Sequence, residues 1–319
     1  MNCDYIIVGS GLASIMFAEQ LRTHQKSFVV ISDRSQQASV VASGLYNPVV
    51  LKRFTAAWNA ATHLEIAIPK YARLEQLLGL KLDYVVPIHR VFNSIQEQNN
   101  WFQACDKPLL APFLNPKLVG NKNSSVNAPF GFGEVNATGR IDTQKLIESY
   151  RTFLTKNSQY ISENFDYDAL IETTEGLRYK FIQAKHIVFT EGFGIHKNPY
   201  FKQLPLEGTK GELITIHSPQ LQLTPILKSS IFVIPMGDDY YLVGSTYEWT
   251  DKTNIPTAEA KFQLLEKLKR LVTCDFEVVN QRAGIRPTVS DRRPLVGRHP
   301  NHKQMYVLNG LGTRGVLIA

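Results

Sequence analysis

Asp4-Tyr5-Ile6-Ile7-Val8-Gly9-Ser10-Gly11-Leu12-Ala13-Ser14 opens the chain with an apolar run that enters a glycine turn. Tyr5 to Val8 reads as a buried parallel strand, and Ile15, Ala18 and Leu21 mark one face of the helix after it. Gly9 permits the tight turn, and Gly11 lacks the Cβ that would keep backbone N–H groups away from a pyrophosphate. Phe28 to Ile31 supplies a second strand, so the segment is a βαβ start with a dinucleotide-binding turn. Leu12 and Ala13, the first helical residues, belong to the predicted anion cradle. Ser14 stands where the pattern has a third Gly or Ala, an exchange small enough to keep the helix against the strand. The acid expected on a ribose falls on Ser32 by strict register and on Asp33 one residue later, and both stand as candidates.

The chain has 319 residues, enough for one large or two interleaved domains. Its 44% hydrophobic and 20% charged residues are ordinary for a globular protein and exclude a disordered one. Three widely spaced cysteines form no C-x-x-C, which argues against a disulfide frame or a zinc site and predicts a reducing, cytoplasmic setting. Eight histidines show no metal-ligand spacing, and no metal is expected. No apolar stretch is long enough for a membrane span, and Asp4 and the glycines interrupt any signal-peptide core. The net charge of +7 is compatible with an anionic cofactor, an acidic substrate or RNA, but the basic residues are scattered, which argues against a nucleic-acid surface. Oligomeric state is left open.

After the first unit, residues 35–55 read as irregular. Helices are expected over 58–78, 143–156 with Asp142 as N-cap, and 257–272. Strands are expected over 83–92, 117–119, 160–167, 169–173, 177–182, 186–190, 211–217, 230–235, 240–245 and 304–309, with a loop over 120–133. The last strand runs into Gly310-Leu311-Gly312-Thr313-Arg314-Gly315, a second glycine turn that should open a helix. The sequence stops within a turn of it, so the helix is either a stub or cut short.

In this order the segments Ile6–Leu21, Ala42–Pro48, Ile187–Gly194, Leu204–Ile216, Ile231–Thr246 and Ala283–Ile318 resemble the FAD-dependent amine oxidoreductases, the family of D-amino acid oxidase and glycine oxidase. The most specific part is Ala283-Gly284-Ile285-Arg286-Pro287-Thr288 with Asp291, Pro294 to Gly297, and Gly310 to Gly315. The resemblance implies an α/β protein. Its FAD-binding Rossmann-like domain, of the glutathione reductase type, would be discontinuous over 1–50, 137–204 and 283–319. A second α+β substrate domain on an antiparallel sheet would take 51–136 and 205–282. It implies that Ser43, Gly44 and Leu45 line the flavin, with Gly192, Gly310, Gly312, Thr313, Arg314 and Gly315 also at the cofactor. It further implies that Arg286 pairs with the substrate carboxylate, aided by tyrosines from the sheet.

A planar guanidinium in a partly desolvated site can hold a carboxylate bidentately, which makes that role for Arg286 chemically sound on its own terms. Arg314 is a candidate for the substrate or for the flavin's developing negative charge. Tyr241 and Tyr247 flank one strand and, by alternation, are expected on the same face, closing the substrate pocket. Lys52 and Arg53 lie just beyond the flavin-lining stretch, in reach of an anionic group. No G-x-S-x-G elbow or other catalytic dyad is present. The expected activity is therefore oxidation of the C–N bond of a small amine or amino acid bearing a carboxylate, by hydride transfer to flavin, with oxygen or another acceptor reoxidising it. The alternatives are a flavin-dependent oxidase acting on a modified tRNA base and a non-catalytic FAD-binding subunit.

Overall fold

The computed structural model describes residues 1–319. Two large sheets organise the chain. The first has five parallel strands in the spatial order Tyr160–Ile161, Phe28–Ile31, Asn2–Val8, Ile182–Phe189, Met305–Asn309. An antiparallel hairpin, Leu170–Thr173 with Gly176–Tyr179, pairs with the start of Ile182–Phe189, and Leu295–Arg298 pairs with the last strand. Helix Leu12–Thr23 and helix Thr143–Lys156 cover one face, and the interior strand residues Ile6, Ile7, Val29, Val30 and Ile187 are fully buried. Burial on both faces explains why these strands read as unbroken apolar runs.

The second sheet has seven strands in the order Glu277–Arg286, Thr209–His217, Tyr240–Gly244, Phe232–Gly237, Ile226–Lys228, Ile88–Val91, Phe132–Val135, all antiparallel except the pair Ile226–Lys228 and Ile88–Val91. A three-stranded sheet, Leu45–Tyr46, Gly139–Ile141 and Asp83–Val85, carries the chain between the two. The ten-residue strand Glu277–Arg286 crosses the expected boundary at 283 and ends on Arg286.

Several expectations need revision. The single strand over 83–92 is two strands in two sheets, because Val86-Pro87 turns the chain between them. Of 160–167 only Tyr160–Ile161 is strand, and over 117–119 there is one bridge, Val119 to Phe132. The irregular 35–55 stretch contains a short helix, Ala38–Val41, and the loop after 120 ends where Phe132–Val135 begins. Helix Ile95–Cys105 was not anticipated, yet its signal is in the sequence. The Ser94 side chain accepts from Glu97 N, while Glu97 Oε2 reaches back to Asn93 N at 2.8 Å, a variant of the capping box. Trp101 on this helix is fully buried, with its indole N–H donating to Asn115 O at 3.1 Å.

Candidate functional site

The C-terminal ends of the parallel strands converge, as the doubly wound topology requires. Gly9 follows the first strand, Ser32 and Asp33 the second, Glu191 and Gly192 the strand Ile182–Phe189, and Leu311 to Gly315 the last. They surround a cavity of about 1670 Å³ whose far wall is the second sheet. Since small-molecule pockets run to about 1,000 Å³, this volume accommodates a dinucleotide and a small substrate together.

The turn into helix Leu12–Thr23 fits a pyrophosphate. Gly9 has φ +106°, and a Cβ there would lie 2.6 Å from Thr190 O, so only glycine closes this turn. The helix has Gly11 as N-cap with no side-chain cap bond; Leu12 N donates to Ser39 Oγ at 3.3 Å, and Gly11, Leu12 and Ala13 line the cavity, so an anion there meets the positive end of the helix. Ser10 Oγ donates to Ser32 Oγ at 3.0 Å and accepts from Arg151 Nε at 3.0 Å, a brace absent from the sequence reading. Asp33 Oδ1 accepts from Ser35 N at 2.9 Å and Ser35 Oγ at 2.7 Å. Across the cavity, Gly44 has φ +73° and sits so tightly on Ile141 O that a Cβ would overlap it. That contact holds the Ser43–Leu45 segment in the wall.

Glu191 directly precedes Gly192 and carries no role in the sequence reading above. The structure buries it at the cavity edge, accepting from Tyr167 Oη and, at 2.8 Å, from Asn198 Nδ2. Burial pushes its carboxyl up to about 7, against those two hydrogen bonds, which lower it. The folded state therefore holds a proton that the unfolded chain releases near its ordinary 4.5, and stability falls as pH rises from 4.5 towards 7. We expect the loss of thermal stability between pH 5 and 8 to be smaller in Glu191→Gln than in the parent. Parallel melting curves across that range would show that Glu191 does not titrate in it.

On the far wall, Arg286 is the central group. Its guanidinium lies over Gly211 of the neighbouring strand, with Nη2 donating to Ser245 Oγ at 2.8 Å and Nη1 to Thr246 O at 3.3 Å. No carboxylate pairs with it; the Tyr247 ring lies 4.7 Å from Cζ, and burial lowers its pKa from the ordinary arginine value. Arg314 also lines the cavity without a carboxylate partner, donating to Asn47 O at 2.7 Å, with its pKa lowered first by burial and then by Arg292. Lys228, not singled out from the sequence, lines the same wall with no ion pair. Its Nζ lies 4.6 Å from the Phe232 ring centre, and its pKa is lowered to about 8, first by burial and then by Arg90 and Lys267. Lys52 and Arg53 line the cavity too.

Sixteen predicted residues therefore meet around one cavity: Gly9, Gly11, Leu12, Ala13, Ser32, Asp33, Ser43, Gly44, Leu45, Gly192, Tyr247, Arg286, Gly312, Thr313, Arg314 and Gly315. Two do not. Tyr241 is 3% exposed and packs in the core on the opposite face of the sheet, where its hydroxyl accepts from Leu223 N at 3.3 Å. The same-face argument fails because the strand ends at Gly244, so alternation does not extend to Tyr247. Gly310, at φ +74°, stands behind the cavity wall against Val289 and Leu295, shaping the turn rather than lining it.

A parallel sheet whose strand ends surround a cavity large enough for a dinucleotide, faced by a second sheet that presents a half-buried guanidinium, defines an α/β protein of the nucleotide-binding class. The chain belongs to the FAD dependent oxidoreductase family, whose sequence profile matches residues 4–319. FAD is the cofactor of that family. The chain is 23% identical to glycine oxidase of Bacillus subtilis (strain 168) over 208 residues, 60% of this chain and 56% of that protein. It is 26% identical to glycine oxidase of Bacillus licheniformis over 144 residues, 43% of this chain and 38% of that protein. These matches span about half or less of the curated relatives' length. Among solved structures, glycine oxidase from Geobacillus kaustophilus superposes with a TM-score of 0.76 at 16% identity, covering 99% of this chain and 91% of that one. L-alpha-glycerophosphate oxidase from Mycoplasma pneumoniae, solved with FAD bound, gives 0.77 at 16% identity over 100% and 92%. No helix here is long and apolar enough to cross a membrane.

Proposed function

We propose that this protein oxidises the C–N bond of a small amine or amino acid that carries a carboxylate, with FAD as the electron acceptor. The observation that carries this reading is Arg286, a half-buried guanidinium with no acidic partner, facing the cavity from the second sheet. Buried charges are normally paired, so the missing counterion is the substrate's carboxylate. The relatives named glycine oxidase support the same class of substrate.

FAD, when bound, supplies the two-electron sink for the hydrogen on the carbon beside the amine. The first glycine turn would hold its pyrophosphate, and Asp33 its ribose. For the latter we favour Asp33, whose Oδ2 takes no hydrogen bond, over Ser32, whose single hydroxyl oxygen already receives Ser10 Oγ and Arg34 N. Ser43, Gly44 and Leu45 would flank the flavin ring. Arg286 orients the substrate by its carboxylate, and Ser245 and Thr246 O fix the guanidinium in turn. Tyr247 covers it. Leu213, Phe232 and Ile234 exclude water from the same wall. Arg314 stabilises negative charge that develops on the acceptor. Lys228 extends the cationic wall and favours substrates with a polar or anionic far end. The division into a cofactor part over 1–50, 137–204 and 283–319 and a substrate part over 51–136 and 205–282 belongs to this reading, with Arg286 delivered by the substrate sheet. A cytoplasmic location, and oxygen or another final acceptor, belong to it as well.

The test is an absorption spectrum of the purified protein, then anaerobic addition of glycine, sarcosine, proline and D-amino acids. We expect flavin bands that bleach with at least one of them. Flavin that none of them bleaches would turn attention to a modified tRNA base or to a non-catalytic subunit, and failure to take up added FAD would end the reading.

A further inference from the structure

A second, smaller cavity of about 240 Å³ lies beside the main one, lined by Arg140, Arg282, Lys145, Asp142, Ser43 and the start of helix Thr143–Lys156, among others. Arg140 is 5% exposed, yet its side chain has no hydrogen-bond partner and no ion pair; Nε is fully enclosed and unsatisfied. Its only specific contact is the Tyr84 ring, 4.2 Å from Cζ. Arg282 likewise has a buried, unsatisfied Nε, and its Nη1 donates to Gln144 Oε1 at 2.6 Å. Burial lowers the pKa of both guanidiniums, while Asp142 acts in the opposite direction on each.

An enclosed guanidinium beside a partly buried one, neither in an ion pair, is an expensive arrangement unless something anionic completes it. Of the two carboxylates on the rim, Asp142 already accepts from Lys145 N at 3.0 Å as the helix N-cap, and Glu148 accepts from Gln144 Nε2 at 3.0 Å. With Lys145 also lining the cavity, three cations face two acids, and the leading amides of a fourteen-residue helix add further positive potential. A volume of 240 Å³ exceeds the few tens of Å³ that a water needs and falls short of the roughly 300 Å³ at which drug-sized pockets begin.

We propose that this cavity is a binding site for a small tetrahedral oxyanion of the phosphate type, held between Arg140 and Arg282. It is distinct from the dinucleotide and substrate positions. Ala42 and Ser43 line both cavities, so the anion would sit directly behind the segment expected to flank the flavin. The inference does not depend on which amine is oxidised.

The experiment is thermal unfolding of the FAD-loaded protein titrated with inorganic phosphate against sodium chloride at matched ionic strength. Loading keeps the pyrophosphate position filled. We expect phosphate to raise the Tm by about 2–6 °C beyond the chloride control. Arg140→Met and Arg282→Gln should each abolish that rise, whereas Arg286→Met should keep it. The absence of a phosphate-specific rise overturns the proposal, as does a rise that survives both Arg140→Met and Arg282→Gln. A rise lost in Arg286→Met alone would place the anion in the main cavity and also overturn it. If Arg140→Met fails to fold, Arg282→Gln decides, because Arg282 is only partly buried.

Discussion

Gly211→Ala is expected to abolish substrate recognition while leaving the fold and the cofactor in place. A Cβ at residue 211 would overlap Arg286 Cζ, Nη1 and Nη2, its three nearest atoms, so the guanidinium must leave its seat. Gly211 lies in strand Thr209–His217 without a positive φ, so alanine is compatible with its backbone. Losing a bidentate, charge-assisted contact should cost about 3–5 kcal/mol of transition-state binding. That corresponds to a fall in kcat/KM of about two to four orders of magnitude on whichever amine bleaches the flavin. The decisive comparison is with Arg286→Met and the double variant. If Gly211 acts only by seating Arg286, the two losses will not add. Additive losses would mean that Gly211 has a separate role, and near-normal activity in Gly211→Ala would mean that Arg286 is not the carboxylate anchor.

Lys210→Met should cause the largest loss of stability. Lys210 is fully buried, with Nζ 2.5 Å from Asp251 Oδ2 and 3.5 Å from Glu212 Oε1, and it also donates to Ile255 O. Glu212 is itself 2% exposed and accepts from Thr257 N, Thr257 Oγ1 and Gln281 Nε2. Methionine preserves the stem but strands a buried carboxylate, an imbalance worth about 3–5 kcal/mol. Chemical denaturation measures it directly. Adding Glu212→Gln should restore part of the loss, since it removes the stranded charge; no recovery would show that packing rather than charge is at stake. The cluster also ties residues 251–257 to the sheet, and the same loop carries Tyr247 and Trp249 into the cavity wall. A destabilised variant should therefore bind substrate more weakly before it loses flavin.

The cofactor half of the site was legible because it is local. A glycine turn after an apolar strand needs nothing beyond its own dozen residues to declare an anion cradle, and the order of later segments supplied the family. The same locality exposes two misreadings. Helix Ile95–Cys105 carries its start signal in Ser94 and Glu97, outside the readings above, and the parity that assigns Tyr241 stops where its strand stops.

From sequence alone came the parallel-sheet architecture, the dinucleotide turn, the family, and Arg286 as a candidate anchor. Only the tertiary structure decided that Gly211 makes room for Arg286 and that Lys210 and Glu212 form a buried pair with Asp251. It alone enclosed Arg140 without a partner and left Arg282 Nε beside it unsatisfied, and it alone drew Glu191 into burial with Tyr167 and Asn198. The physical reason is the range of the interactions. Turn geometry and strand burial are set by near neighbours in sequence, whereas the charge state and position of a side chain depend on residues that strand pairing brings beside it from tens to more than a hundred positions away.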